Sequence, residues 1–145
     1  MRIFSPCKGI VQDLKYANDK VFSQYMMGVG FFVETDDKDI MAPIDGVVEF
    51  VADTLHAIVI KKDDISVMVH VGLDTCCLKG SPFKIMVKEG DNVSLNQKIM
   101  EVDHEMIKQN NLNDDVIVVL VENKDETLLE NMPNKVNSGD VVINQ

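Results

Sequence analysis

Short runs of apolar residues, rich in valine and isoleucine, recur along the chain between polar turn residues. They occupy residues 40–41, 47–51, 57–60, 66–71, 98–102, 116–121 and 141–143. Runs of this length and composition are typical of strands. Helical patterning is limited to residues 105–109 and a turn near 81–83, with a short helix or a loop over 125–131. The pattern predicts an all-β protein, an antiparallel β-sandwich or barrel-like fold with little helix.

Two pairs of short segments resemble each other. Residues 5–11 align with residues 42–48, so that a proline, a glycine and two apolar residues coincide and each segment reads as a turn followed by a strand. Residues 87–93 align with residues 136–142 around a Gly-Asp turn. Matches this short also arise by chance in β-rich chains, so they support the fold class more than the exact topology. The repeats predict a duplicated β motif.

Length and composition favour one domain over residues 1–145, because 46% of the residues are hydrophobic and can build a core. No apolar segment approaches the roughly 20 residues that a membrane span needs. The N-terminus lacks the charged head and apolar run of a signal peptide, and no amphipathic N-terminal tail precedes the first turn. We expect a cytoplasmic protein with no direct membrane insertion.

The charge and the cysteines narrow the choice of partners and compartment. The formal net charge is −10, so the chain is expected to repel nucleic acid. An acidic surface of this kind would attract a basic protein partner, and it also serves simply to keep a protein soluble. Cys7, Cys76 and Cys77 form an odd set without a CxxC spacing. This predicts buried, reduced thiols instead of a disulfide framework or a zinc knot.

Two histidines at the edges of apolar runs are the best candidates for chemistry. His70 ends the run that begins at Ile65, and strand alternation puts it on the face opposite Val67 and Val69. His56 belongs to the preceding run, which ends in a charged turn at residues 61–64. A hairpin through that turn would bring the two imidazoles together.

The neighbours of these histidines suggest roles. Gly72 would let a backbone carbonyl approach His70 and fix its tautomer, which leaves Nε2 free as a nucleophile toward phosphorus or as a metal ligand. His56 could donate a hydrogen bond to an arriving phosphoryl group. Thr54, on the same predicted strand face as His56, could orient an imidazole through its hydroxyl. Asp74 is either a third polar member of the site or a turn residue.

Other interpretations stay open at this point. The two histidines could be half-buried strand residues satisfied by the backbone. With Asp74, His56 and His70 could also bind a catalytic zinc that keeps one open position, although no HxH or HExxH motif accompanies them. His104 stands between acidic residues and is expected on the surface. No cofactor fingerprint occurs in the chain, so we predict no cofactor.

The motifs around the histidines resemble those of the glucose-type enzyme IIA family of the bacterial sugar phosphotransferase system. The matching strings are Ala-Pro-Ile-Asp-Gly at 42–46, Thr-Leu-His-Ala at 54–57 and His-Val-Gly-Leu-Asp-Thr at 70–75. Further matches at residues 21–30 and 78–83 and at both Gly-Asp turns extend the resemblance over nearly the whole chain.

This resemblance implies a phosphocarrier with transferase activity on an antiparallel sandwich built from a duplicated motif. His70 would accept a phosphoryl group on Nε2 from the phosphohistidine of the histidine phosphocarrier protein HPr, and pass it to a cysteine in the IIB domain of a sugar permease. His56 would stabilise the phosphoryl group and serve mainly its onward transfer. Thr54 and the backbone at Gly72 would orient the imidazoles, with Asp74 beside them. No metal is required, and a zinc ion bridging His56 and His70 at a partner interface would not be catalytic.

An apolar docking face around the histidines is expected, because two carriers that share a phosphoryl group must exclude water. The candidates for this face are Val21, Phe22, Met68 and Val71, and Val71 has core packing as its alternative role because it points opposite to His70. The family face is typically richer in phenylalanine, and Ala52 stands where a bulky ring is common. A regulatory protein that binds through the same face is the alternative function, and a zinc hydrolase of a related fold is a weaker one.

Overall fold

A computed structural model describes residues 1–145 and contains thirteen short strands and two short helices. The strands are β1 (Arg2–Phe4), β2 (Gly9–Asp13), β3 (Gly30–Glu34), β4 (Asp39–Met41), β5 (Gly46–Val51), β6 (Ala57–Lys62), β7 (Ile65–Leu73), β8 (Phe83–Ile85), β9 (Asn92–Val93), β10 (Lys98–Val102), β11 (Asn113–Leu120), β12 (Lys135–Val136) and β13 (Val141–Asn144). The helices are α1 (Lys20–Ser23) and α2 (His104–Gln109), and single 3₁₀ turns cover Leu14–Tyr16, Thr75–Leu78 and Glu126–Leu129. The predicted all-β class with little helix is confirmed. None of the helices has the length and apolar character needed to cross a membrane.

Every strand pair is antiparallel, and the strands form three sheets. The largest sheet has the order β12-β2-β3-β11-β7-β6-β5-β9. A second sheet has the order β4-β10-β8, and β1 pairs with β13 in the third. The β6–β7 hairpin that the sequence predicts lies inside the largest sheet, with β11 on its other side.

The duplication is visible in the pairing of the strands. β1 pairs with β13 and β2 with β12, and in the same way β4 pairs with β10 and β5 with β9. Gly9 pairs with Val136 where Gly46 pairs with Val93. The alignment of residues 5–11 with 42–48 is therefore confirmed.

The second sequence repeat is out of register. Because Val93 and Val136 hold equivalent positions, the turn at Gly139 corresponds to the turn at Asn96, and the Gly-Asp turn at residues 90–91 is not its counterpart. Both Gly139 and Asn96 have positive φ angles, +86° and +64°. The two turns touch, since the Ser138 hydroxyl donates to the Asn96 side-chain oxygen at 2.9 Å. Gly-Asp is a common turn sequence, and this is why it misleads as a marker of register.

Both faces of strand β7 contribute side chains to apolar clusters. Val67, Val69 and Val71 are fully buried in the main core, as alternation predicts. Met68, on the opposite face with His70, is also buried, in a smaller apolar cluster that includes Phe22. The other members of this cluster are Leu14, Phe32, Leu73, Ile117 and Val119. His70 thus lies at the edge of a second apolar layer.

The expected burial of Cys76 and Cys77 and the expected exposure of His104 are wrong. Cys76 and Cys77 are exposed, and only Cys7 is buried; all three are free thiols. His104 is 7% exposed, because it begins α2 against β11 and both ring nitrogens meet oxygen atoms, Nδ1 on the Asp114 carboxylate and Nε2 on the Asp37 carbonyl.

Candidate functional site

The β6–β7 hairpin brings the rings of His56 and His70 together. Ala57 is the cross-strand partner of His70, and the Val71 amide donates to the His56 carbonyl at 2.8 Å. The ring centroids lie 4.7 Å apart with the planes at 86°. The sequence interpretation of a hairpin that joins two imidazoles is therefore confirmed as geometry.

His56 lies in a turn that precedes β6, and not on a strand as the sequence suggests. Leu55 has a positive φ of +62°, and its amide donates to the Ala52 carbonyl. Thr54 therefore does not share a strand face with His56. Its hydroxyl nevertheless meets His56 Nδ1 at 2.6 Å, because the turn folds the two side chains toward each other. This contact occupies Nδ1 and leaves Nε2 as the nitrogen available to a ligand.

Both imidazoles are half-buried, and the environment lowers the pKa of each. Burial, followed by the proximity of His56, lowers the pKa of His70 to about 4. Burial also lowers the pKa of the half-exposed His56, against the opposing effect of the Thr54 backbone. Both shifts favour the neutral ring near pH 7, and a neutral imidazole retains the lone pair that a nucleophile needs.

The expected carbonyl partner of His70 is not in place. Nδ1 of His70 is buried and makes no hydrogen bond in the structure. The Gly72 backbone raises the pKa of His70, against the larger effect of burial, without meeting hydrogen-bond geometry. A buried ring nitrogen without a partner costs free energy, and such groups are concentrated where function requires them.

Gly72 is required by the backbone at the end of β7. Its φ is +77°, and a Cβ atom there would collide with the Asn113 carbonyl and the Thr75 side chain. Thr75 in turn donates its hydroxyl to the Val71 carbonyl at 2.6 Å, which fixes the tight exit from the strand. Asp74 follows with a φ of +60° and lies on the rim of the cleft that contains both histidines.

The opposite wall of this cleft is α1. The Asp19 carboxylate accepts from the amides of Val21 and Phe22 at 2.8 and 3.3 Å and so caps the first turn. The Phe22 ring packs on the His70 ring, with centroids 5.0 Å apart at 60°. Sequence reasoning did not predict this helix, although an aspartate placed before a short apolar pair is an N-cap signal.

We refer below to the histidine cleft as the surface lined by Asp19, Val21, Phe22, Met27, His56, His70, Leu73, Asp74, Thr75 and Cys76. The predictions from sequence did not include Asp19, Met27 or Cys76 as members. Charge on Asp19 raises the pKa of His70, in opposition to burial. Asp19 is thus the acidic group whose charge acts on the buried ring.

The predicted docking face is only partly present. Val21 is 41% exposed; Phe22 and Met68 are each only 6% exposed, and of these two only Phe22 lines the cleft. Val71 is fully buried in the main core, so its placement on the docking face is wrong and its alternative role in core packing is correct. The strongly exposed apolar residues nearest to Val21 along the chain are Tyr16 and Met26, which the sequence did not indicate.

The structure forms no group of three or more histidine, cysteine or acidic side chains placed to hold a metal ion. The three-ligand zinc site considered from sequence therefore does not fit these residues. Wider clefts lie on either side of Lys108, but His104, the histidine there, has both ring nitrogens occupied. The histidine cleft is the place where an imidazole nitrogen remains available.

Comparison with known proteins gives a consistent result. Residues 1–127 match the family model described as phosphoenolpyruvate-dependent sugar phosphotransferase system, EIIA 1. The chain is 39% identical over 143 residues to the PTS system glucose-specific EIICBA component of Staphylococcus carnosus, covering 97% of this chain and 21% of that protein. It is 32% identical over 128 residues to the PTS system glucose-specific EIIA component of a Staphylococcus epidermidis strain, covering 88% of this chain and 76% of that protein.

A solved structure is similar over nearly its full length. Glucose permease IIA from Mycoplasma capricolum superposes with a TM-score of 0.86 at 29% sequence identity, covering 99% of this chain and 94% of that chain. In contrast, the chain spans only about a fifth of the two EIICBA relatives from Staphylococcus carnosus, at 21% and 18% of their lengths.

Proposed function

Because the chain belongs to the EIIA 1 family of the phosphoenolpyruvate-dependent sugar phosphotransferase system, we propose that it is a phosphocarrier that relays a phosphoryl group through His70 during sugar uptake. The phosphoryl donor in this proposal is the phosphohistidine of HPr, and the acceptor is a cysteine in the IIB domain of a sugar permease. The observation that carries the proposal is the half-buried His70 ring, whose Nδ1 is buried, with a second imidazole 4.7 Å away.

The transfer needs only the groups present in the cleft and the donor. The Nε2 lone pair of His70 attacks phosphorus, the P–N bond to the donor imidazole breaks, and its electron pair returns to the donor ring. In the second step a cysteine thiolate of the acceptor attacks the phosphorus, and the electron pair of the breaking bond returns to Nε2. Such a relay depends mainly on positioning and on charge compensation, which a preformed cleft supplies once the docked carrier excludes water from it.

His56 is placed to act on the phosphorylated state. A phosphoryl group on His70 brings negative charge next to the His56 ring, and nearby negative charge favours the protonated imidazole. A protonated His56 donates a charge-assisted hydrogen bond to a phosphoryl oxygen, with Thr54 holding the ring in place. We propose that this bond orients the group for delivery, in agreement with the family's assignment of His56 to onward transfer.

The names of related proteins support the proposed acceptor. The relatives named EIICBA and EIIBCA carry an A component together with B and C components in one chain. Transfer from this component to a IIB domain would therefore be a short intramolecular or docked step. Acidic Asp19 and Asp74 beside exposed Val21 fit a donor or acceptor whose docking face is apolar with basic residues. Three free thiols suit the reducing cytoplasm as the compartment.

The test is phosphoryl uptake from labelled phosphoenolpyruvate through the upstream kinase and HPr. We expect wild type to gain one acid-labile, base-stable phosphate, and His70→Ala to gain none. His56→Gln should still be phosphorylated but should deliver the group to a IIB domain about a hundredfold more slowly, the usual effect of losing a positioned proton donor. Lys135→Met, a substitution in β12 away from the named cleft residues, is the control. Normal labelling of the His70 variant would contradict the assignment.

A further inference from the structure

Residues 24–28, the segment that follows α1, include a residue in a strained backbone conformation. Tyr25 has a φ of +55°, the left-handed region that bulky residues rarely occupy. A strained backbone persists only where its surroundings fix it, and such positions often serve a functional site. Two side chains from distant parts of the chain provide this restraint at Tyr25.

The first restraint is Asp13 at the end of β2. Its carboxylate accepts from the Tyr25 hydroxyl at 2.5 Å and also from the Lys15 amide at 2.9 Å. Burial together with this bond raises the pKa of Tyr25, so the phenol stays protonated as the donor. The side chain of Tyr25 is thereby tied to the turn that precedes α1.

The second restraint is Lys124, which lies almost a hundred residues further along the chain. Its ammonium donates to the Tyr25 carbonyl at 2.5 Å and to the Met26 carbonyl at 2.9 Å. These carbonyls follow the helix end, where backbone acceptors lack helical partners. Backbone hydrogen bonds also link the two segments: the Glu122 amide donates to the Met27 carbonyl, and the Val29 amide donates to the Asn123 carbonyl.

The restrained segment bears directly on the histidine cleft. The Met26 amide donates to the Val21 carbonyl and the Tyr25 amide to the Phe22 carbonyl, so the segment fixes the end of α1. Phe22 packs on His70, and Met27 lines the cleft. We propose that Lys124, through its bonds to the Tyr25 and Met26 carbonyls, is a positioning residue that holds α1 ready for the phosphoryl donor. This inference rests on the proposed function and concerns docking, not the transfer step, because Lys124 is not among the residues that line the cleft.

Loss of the Lys124 bonds should change the KM for the phosphoryl donor, and this effect can be measured separately from a change in overall stability. Lys124→Met removes both carbonyl bonds, whereas Lys124→Arg keeps a donor that reaches them. We expect Lys124→Met to raise the KM for phosphorylated HPr about three- to tenfold with kcat changed less than about twofold, because ordering the segment becomes part of binding. Amide hydrogen exchange of residues 24–28 in the isolated protein should accelerate in the same variant. Lys124→Arg should restore both quantities, and Lys135→Met should change neither.

If Lys124→Met is poorly folded, a second variant, Tyr25→Phe, tests the restraint of the same segment. Tyr25→Phe breaks the Asp13 bond only, and should raise the KM and the exchange rates in the same direction. If both residues act through one segment, the double variant will fall short of the product of the single effects. Faster exchange with an unchanged KM would overturn the inference, as would a raised KM without faster exchange. A wild type that takes no phosphoryl group would instead overturn the proposed function.

Discussion

His56 and His70 lie side by side in the structure, yet their surroundings differ. His70 is enclosed by Phe22 and the end of β7, so its ring is neutral and its Nδ1 has no partner. His56 lies in a turn, half exposed, with its orientation set by Thr54. A ring whose pKa is strongly lowered keeps the lone pair needed for attack on phosphorus, and a ring with solvent contact can take up a proton when charge arrives.

The low pKa of His70 predicts a pH dependence of stability. In the folded protein this pKa is about 4, against an ordinary value of 6.5. Between these two pH values the unfolded chain binds more protons at this position, so the free energy of unfolding falls as the pH is lowered from 6.5 to 4. The full contribution of this group is up to about 3 kcal/mol, since one pKa unit corresponds to about 1.4 kcal/mol.

Urea unfolding of wild type and His70→Asn across that range tests this prediction. The asparagine does not titrate, so the stability difference between the two proteins should shift against wild type as the pH falls from 6.5 to 4. Above pH 7 the difference should be constant. Parallel stability curves down to pH 4 would show that His70 is protonated in the folded protein at its ordinary pKa.

At the scale of secondary-structure elements, the site depends on contacts between segments that are weak alone. The β6–β7 hairpin carries both histidines, and α1 is a single short helix that could not be stable in isolation. The helix is held by the Asp19 cap and by packing of Phe22 against the sheet. A comparable contact between elements is made by His104, which joins α2, β11 and the loop before β4.

The two contacts of the His104 ring predict that its removal lowers the free energy of unfolding substantially. His104→Ala removes a buried ring and leaves the partly buried Asp114 carboxylate and Asp37 carbonyl without their ring contacts. We expect a loss of about 2–4 kcal/mol in the free energy of unfolding, measured by urea denaturation. Lys108→Met is the matched control: Lys108 also approaches Asp114, at 3.7 Å, but it is 58% exposed, so its loss should cost less than about 1 kcal/mol. Equal effects from the two substitutions would contradict a structural role for the buried ring.

For the molecule as a whole, the three thiols lie in different environments: Cys7 is in the core, Cys76 lines the histidine cleft and Cys77 is exposed. Cys7 is fully buried, and burial raises its pKa to about 12, while Cys76 and Cys77 are exposed. An aromatic disulfide reagent should therefore react with two thiols per native chain and with the third only after unfolding in guanidinium, because the thiolate is the reacting form. Thiol titration with and without denaturant measures this count. Three fast thiols in the native protein would contradict the burial of Cys7.

The same reagent tests which surface the donor uses. The adduct at Cys76 stands on the rim of the histidine cleft and should block phosphoryl uptake from HPr. Uptake by Cys76→Ser should survive the treatment, whereas uptake by Cys77→Ser should not. Protection by the Cys77 substitution instead would move the docking face to the other side of this 3₁₀ turn.

The sequence by itself determined the fold class, the family and the histidine pair. These properties follow from local patterns: strand alternation puts His70 opposite Val67 and Val69, and a charged turn after the β6 run dictates the hairpin. The motif resemblance named the family that the family model then confirmed. The duplication was correct for residues 5–11 and 42–48, because a proline and a glycine there serve equivalent turns.

Only the tertiary structure decided the rest, because it depends on contacts between residues far apart in the chain. The register of the second repeat came from strand pairing, which a common Gly-Asp turn does not encode. Val71 proved to be core, and Asp19 came to face His70 from another element. His104 was predicted on the surface because its neighbours in sequence are acidic, but its actual partners are Asp114 and the carbonyl of Asp37, 67 residues away. Burial and charge at a site are sums over neighbours in space, and the sequence order alone does not specify those neighbours.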